Sequence, residues 1–93
     1  MLFAHIFVNS RGGPVRIKII SLLRRGSLNA YQLSTALEMD YQTIRHHGAV
    51  LEKNNLVSKD NTGYGASYFI TSLLEVNMDV FDEILSKYAL LNP

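Results

Sequence analysis

Residues 29–57 read NAYQLSTALEMDYQTIRHHGAVLEKNNLV, and two helical patterns lie in them with almost nothing between. Asn29 is a suitable N-cap, and Gln32, three positions on, completes a capping box in which each side chain satisfies the other residue's backbone N–H. Leu33, Ala36 and Leu37 form the apolar face of this first helix at spacings of three and four. Asp40 suits the cap of the second, where its carboxylate meets the positive helix end. Asn54-Asn55 stops that helix. Met39 and Asp40, together with Glu38, are all that separates the pair. Two short helices joined so tightly must cross steeply, which is the helix-turn-helix arrangement.

On a wheel of about 100° per residue, the second helix divides cleanly. Ile44, Gly48, Leu51 and Asn55 fall on one side with His47 at its edge. Gln42, Arg45, His46, Ala49 and Lys53 fall on the other. That outer stripe is basic, low in the middle at Ala49, and carries an amide near its start. Arg can bond guanine bidentately and Gln can bond adenine, so the stripe suits a DNA major groove as well as it suits a solvated face. The two adjacent histidines sit about 100° apart and cannot share one metal ion. No carboxylate lies at ligand spacing from either, and no serine is marked as an activated nucleophile, so neither a metal site nor catalysis is expected.

Outward from this pair, SRGGPVRIKIISLLRRGS (10–27) holds another helix. Pro14 fits its first position, where a missing N–H costs nothing. Val15, Ile19, Leu22 and Leu23 share a face with Ile20 beside it, and Gly26 stands where a left-handed cap would stop the helix. After residue 55, Leu56-Val57 begins a strand, DNTGYG is dense in turn residues, and SYFIT is β-branched and aromatic, which predicts a β-hairpin. The final stretch, LLEVNMDVFDEILSKYALLNP, reads as one helix with Met78, Phe81, Ile84, Leu85, Tyr88 and Leu91 on a wide apolar face. Asn77 or Asp79 would cap it. The apolar N-terminus MLFAHIFVNS leaves helix and strand both open.

With 93 residues, one domain is the default: a core over about 11–72 and terminal segments 1–10 and 73–93. The absence of cysteine excludes disulfides, thiolate metal sites and cysteine nucleophiles. Net charge is +1, but residues 1–60 carry +4 and residues 61–93 carry −3, so the front and the tail present different surfaces. The N-terminus lacks the basic region and the length of a signal peptide, and no apolar run approaches the ~20 residues of a membrane span. These features fit a cytoplasmic chain with no membrane partner.

The run TIRHH…VLEKNNLV, followed by a hairpin with GYGASYFIT, resembles the winged helix-turn-helix domain of the ArsR-like regulators, especially archaeal members. The likeness covers roughly residues 11–72. It implies a mostly α fold with a β-hairpin wing, the helix at 41–53 entering the major groove, and the wing lying along the backbone or minor groove. The positions it carries over are Tyr41, Gln42, Thr43, Arg45 and His46 on the helix, and Lys59, Asn61, Thr62 and Tyr64 in the wing, with Lys53 added from the basic stripe. Two residues depart from the pattern. Gly48 stands where the family usually has Leu, so a neighbour must fill that space or a helix must approach closely. Glu38 stands where the family often has Gly, so it must avoid a left-handed conformation or tolerate its cost. The metal-sensing members use cysteine and carboxylate clusters, and a chain without cysteine does not share that activity.

In the family the flanking segments pair two subunits. Here Phe3, Ile6 and Phe7 at one end, and Phe81, Ile84, Leu85 and Tyr88 at the other, are too apolar for free tails and are expected at a homodimer interface. The expected activity is sequence-specific binding of double-stranded DNA as a transcriptional regulator, with no cofactor and no enzymatic step. The rival is a winged helix used for protein–protein contact inside a larger assembly, which the small net charge favours. The directions of Arg11, Arg16, Lys18, Arg24 and Arg25 discriminate between the two.

Overall fold

The structure is a computed structural model and describes residues 2–8, 11–60 and 65–91. In chain order, helix α1 (Leu2–Phe7) is followed by α2 (Gly13–Leu23), strand β1 (Leu28–Asn29), α3 (Ala30–Leu37) and α4 (Tyr41–Lys53). Strands β2 (Val57–Lys59) and β3 (Ser67–Ile70) follow, then α5 (Ser72–Val76) and α6 (Met78–Leu91). The sheet is antiparallel in the order β1-β3-β2, with Leu28 opposite Tyr68 and Val57 opposite Ile70. This is a mostly helical chain with a small sheet at the hairpin, the winged helix-turn-helix architecture. The third strand, β1, was not anticipated. It is two residues long, too short to carry an alternating pattern.

The α3–α4 pair forms as its caps dictate. Asn29 accepts from the Gln32 N–H at 2.7 Å while Gln32 accepts from the Asn29 N–H at 2.9 Å, closing the capping box. Asp40 accepts from the Thr43 N–H at 3.1 Å. Between the helices Glu38 adopts φ 53°, ψ 48°, a left-handed conformation that an L-residue tolerates at a cost of roughly 1–2 kcal/mol. The bend is compensated locally: the Met39 N–H reaches back to the Ser34 carbonyl at 3.0 Å, so the end of α3 leaves few orphan carbonyls. Asn55 does the same for α4 at φ 63°, with the Leu56 N–H bonded to the Leu51 carbonyl at 2.9 Å. Asn55 is therefore a cap beyond the helix and not part of its apolar side. Leu33 is buried on α3 as expected and Leu37 is half-buried, but Ala36 is exposed and Ala30 is buried in its place.

Two other helix ends differ from expectation. Helix α2 begins at Gly13, so Pro14 is its second residue. It ends at Leu23 with Arg24 still right-handed, and Gly26 at φ 153° lies outside the left-handed cap region. The C-terminal segment is two helices. The Asn77 amide donates to the Leu73 carbonyl at 2.8 Å and its N–H to the Leu74 carbonyl at 3.0 Å, which closes α5. The Asn77 carbonyl then accepts from Val80 and Phe81, which opens α6. Thr71 caps α5 through Oγ1 and donates the same hydroxyl to the Asn55 carbonyl at 2.7 Å, tying α5 to the end of α4.

The core gathers Ile20, Ile44, Leu51, Leu74 and Phe81, all with no exposed surface. Phe7 meets Phe81 edge to face at 5.4 Å, so the two ends of the chain close over one core. Ile6, Phe7, Phe81 and Ile84, expected at a homodimer interface, are instead buried inside their own chain. Leu85 and Tyr88 are half-buried, and the side chain of Phe3 lies outside the described residues. Gly13 makes the closure possible, because a Cβ there would run into the Phe7 carbonyl.

Since Glu38 sits in a conformation that Gly adopts freely, Glu38→Gly is expected to stabilise the chain by about 1 kcal/mol. Denaturant melts of the two proteins measure this. A lower midpoint for the variant would show that the Glu38 side chain contributes more than its backbone costs.

Candidate nucleic-acid interface

Helix α4 is the element around which the candidate site is built. Its inner side, Ile44, His47, Gly48 and Leu51, is buried. Gln42, Arg45, His46, Ala49 and Lys53 are exposed along the outer side, and Tyr41 and Thr43 are half-buried near the start. The Thr43 N–H is held by the Asp40 cap. The outer stripe read from the helical wheel therefore exists as a surface.

The space beside Gly48 is filled by the Tyr68 ring. A Cβ on Gly48 would stand 2.8 Å from both Cζ and Oη of Tyr68, closer than real contacts permit. A hairpin side chain, and not a helix, makes the approach. Tyr68 is 4% exposed, and two cations, Lys59 and Arg45, act on it. The Lys59 ammonium lies 5.9 Å from its ring centroid and 3.9 Å from the Glu52 carboxylate. The Arg45 guanidinium lies 5.9 Å from the centroid of the Tyr41 ring. A side-chain hydrogen bond with Tyr41 raises the Arg45 pKa, and Tyr68 adds to that shift. Burial raises the Tyr68 pKa, Arg45 opposes that rise, and Glu52 and Tyr41 reinforce it. The phenol thus stays neutral beside two cations.

These groups border a cleft of about 340 Å³ between α4 and the hairpin, lined by Tyr31, Tyr41, Arg45, Lys59, Ala66 and Tyr68. Of the residues singled out from the sequence, the structure brings Tyr41, Arg45 and Lys59 together here. It leaves Gln42 and His46 on the outward face and Lys53 at the far end of the helix. Asn61, Thr62 and Tyr64 lie outside the described residues. Sequence reasoning missed Tyr68 and Tyr31, which is 63% exposed at the start of α3. The missing side chain at Gly48 was the available signal that a large ring from elsewhere lay against α4.

On the other side of α4, His47 is buried and joined to Arg16 of α2. The Arg16 Nε–H donates to His47 Nδ1 at 3.2 Å, and its Nη1 donates to the Ile6 carbonyl of α1 at 3.1 Å. Burial lowers the Arg16 pKa. Burial first, then the charges of Arg16 and His46, lower that of His47. Arg24 bonds Asp82 on α6 at 2.7 Å. Of the five cations whose directions discriminate between the two readings, Arg16 and Arg24 are thus engaged with other parts of the chain, while Arg11, Lys18 and Arg25 are exposed. Among the described residues no three His, Asp or Glu side chains gather as metal ligands, and no helix is long and apolar enough to cross a membrane.

A family profile described as "Bacterial regulatory protein, arsR family" matches residues 13–59, just over half of the chain. Solved structures share the fold. A transcriptional regulator homologue from Pyrococcus horikoshii is 25% identical with a TM-score of 0.66, the match covering 98% of this chain and 97% of that one. The winged helix-turn-helix domain of Mb0332 from Mycobacterium bovis, described as homodimeric and a possible ArsR-family regulator, is 21% identical with a TM-score of 0.65 over 77% and 67%. Rv0081 of M. tuberculosis is 23% identical with a TM-score of 0.65 over 95% and 93%. A comparison with curated proteins finds no match.

Two measurements check the geometry. Gly48→Leu is expected to destabilise the chain by about 1–3 kcal/mol, because the new side chain must displace a buried ring. Tyr68→Leu should remove most of that penalty, and a double-mutant cycle by thermal melting would read the coupling. Additive effects would mean that the two residues do not share the space. The second concerns acid. Folding lowers the His47 pKa below the unfolded value of about 6.5, so as pH falls the unfolded chain takes up the proton first. The contribution is complete above about pH 6.5 and is lost as pH falls from there towards the folded pKa. Unfolding free energies across this range should decline in the wild type and decline less in His47→Asn.

Proposed function

The chain belongs to the arsR family of bacterial regulatory proteins, and on that premise we propose that it binds double-stranded DNA sequence-specifically as a homodimeric transcriptional regulator. The observation that carries this reading is the division of α4: an apolar inner side locked to the core, and an outward stripe of Gln42, Arg45, His46, Ala49 and Lys53. A helix so capped and so anchored presents its first turns to a major groove, with Gln42, Thr43, Arg45 and His46 at base edges. The hairpin then lies along the backbone or minor groove. Lys59 stands beside the cleft, where a phosphate approaching between helix and wing would meet it. Asn61, Thr62 and Tyr64 at the wing tip are proposed to make further backbone contacts.

Dimerisation is proposed on the precedent of the homodimeric Mb0332 domain. Leu85 and Tyr88, half-buried on α6, are the better-placed candidates for the contact, since Ile6, Phe7, Phe81 and Ile84 are already within the chain's own core. The two α4 helices would stand about 34 Å apart, one turn of duplex. The chain as given is proposed to act as one domain in the cytoplasm, without metal or cofactor.

The rival protein–protein reading draws support from Arg16 and Arg24, which are committed inside the chain and leave a thinner basic surface. Selection from random duplex pools at several salt concentrations, with sedimentation of the same samples, separates the two. The DNA reading expects enrichment of a two-fold-symmetric site, a dimer in sedimentation, and affinity that falls linearly in log–log form with salt. Arg45→Ala should cost about 1–3 kcal/mol of specific binding and relax preference at one base position. A uniform loss over all sequences would make Arg45 a phosphate contact, and no enrichment at any salt would leave the rival standing.

A further inference from the structure

Arg16 and His47 form a buried pair that the DNA-facing surface does not use. Arg16 is 9% exposed and His47 is 8% exposed. Through one guanidinium the pair joins three helices: Arg16 belongs to α2, His47 to α4, and the Ile6 carbonyl closes α1. Gly12 sits directly on the pair, since a Cβ there would strike the His47 ring and the Arg16 guanidinium. The packing leaves little room for either side chain to move alone.

The hydrogen bond has a fixed protonation requirement. Guanidinium nitrogens only donate, so the Nε–H bond to Nδ1 exists only while Nδ1 carries a lone pair. His47 is then the neutral tautomer with its proton on Nε2. A proton added to Nδ1 removes the acceptor and sets two cations against each other in a buried space, where Coulomb repulsion is stronger than in water. Among the described residues, the charged or titratable groups acting on His47 are Arg16 from α2 and His46 from α4 itself, whose ring lies 5.3 Å away. The hairpin and α3 also pack on α4, but Lys59, Tyr68 and Tyr31 gather around Arg45 and Glu52 on the other side of the helix, and the exposed Asp60 accepts from the Ser67 N–H within the hairpin. On α1, His5 is exposed.

We propose that Arg16 is a positioning residue and the Arg16–His47 bond a proton-operated latch: with His47 neutral it holds α1 and α4 in the DNA-binding arrangement, and protonation of His47 releases them. Loss of the bond forces Arg16 to turn, and the Ile6 carbonyl loses that donor in the same movement. Helix α1 then loosens from α2 while α4 loses an anchor on its inner side. Neither change touches a DNA-contacting residue. Acid weakens binding by uncoupling the helix that reads DNA from the segment that closes the core beneath it.

The proposal rests on the DNA-binding reading, so its test has one arm that needs no DNA. The chain has three histidines, and His46 on the outward face works in the opposite sense, because a proton there adds charge facing phosphate. The experiment therefore uses His5→Gln/His46→Gln, in which His47 is the single histidine, and compares it with the same protein carrying His47→Asn. Asparagine places a carbonyl oxygen near Nδ1 that accepts from Arg16 and cannot be protonated. Two-dimensional NMR of the imidazole nitrogens should show the Nε2–H tautomer at neutral pH. Amide hydrogen exchange in α1 should accelerate on acidification in the single-histidine protein beyond the ordinary pH dependence of exchange, and not in the His47→Asn form. Affinity for the pool-selected duplex should fall at least about threefold more between about pH 7.5 and about pH 5.5 with His47 than with Asn. Arg16→Gln should abolish the difference between the two backgrounds. An Nδ1–H tautomer, or α1 exchange with the same acid response in both proteins, overturns the latch. Coupled exchange with equal pH profiles of affinity overturns its role in binding. Coupled exchange, with no duplex bound at any pH by the wild-type chain, sustains the latch in the fold and overturns the DNA reading instead.

Discussion

The contact between Gly48 and the Tyr68 ring decides how the hairpin meets α4. A helix glycine is intrinsically unfavourable by about 1 kcal/mol relative to alanine, so its presence in the middle of α4 needs a reason. The reason is room. Without a Cβ, α4 admits a buried aromatic ring from β3, and the hairpin seats against the helix instead of leaning away. Everything on that side follows from the seat. Lys59 lies opposite Tyr68 in the sheet and so stands over its ring, within reach of Glu52. Arg45 finds two phenols beside it. A larger residue at position 48 would move the wing, and with it the spacing between the wing cation and the cation of α4.

The helix pair at 29–57 was legible because each of its signals is local. The capping box at Asn29 and Gln32, the Asp40 cap and the burial of Ile44, His47, Gly48 and Leu51 all depend on residues within one or two turns. What was not legible depends on residues distant in sequence. Tyr68 against Gly48 spans twenty positions, and Arg16 against His47 spans thirty-one. No periodicity in either segment points at the other. The sequence leaves the direction of Arg16 open, since arginine is mostly exposed, and only the fold shows its guanidinium turned inward. Asn77 divides the last helix by a side-chain bond that competes with the backbone, a tendency of asparagine that the apolar spacing across the segment outweighed in the sequence reading.

The distribution of cations bears on how such a chain can bind a polyanion with a net charge of only +1. Net charge averages over the whole surface, whereas DNA meets one face. Arg16 and Arg24 are withdrawn into internal bonds, and Asp82, Glu83 and Glu75 lie on α5 and α6. The outward side of α4 carries Arg45, His46 and Lys53, with no acid in its exposed stripe; Glu52, half-buried, is turned to Lys59. Charge is thus segregated by element more sharply than the totals suggest. The electrostatic term in binding depends on phosphates neutralised locally and not on the total, so a small net charge is compatible with a competent face.

The ends of the chain close the remaining argument about assembly. Phe7 and Phe81 meet inside one chain, so the terminal segments complete the monomer's own core before any partner is considered. That order of use matters physically. If the terminal aromatics were exposed until pairing, folding and dimerisation would be one event, and the monomer would have no stable form. With Ile6, Phe7, Phe81 and Ile84 already buried, the half-covered flank of α6 at Leu85 and Tyr88 is the part of the proposed interface still open among the described residues. Pairing through a flank buries less area than pairing through a core, so a dimer formed as proposed there would depend on the placement of α6. A fold arranged this way keeps the half-covered flank of α6 at one end of the chain and α4 near the middle, with Arg16 of α2 bonded to both α4 and α1.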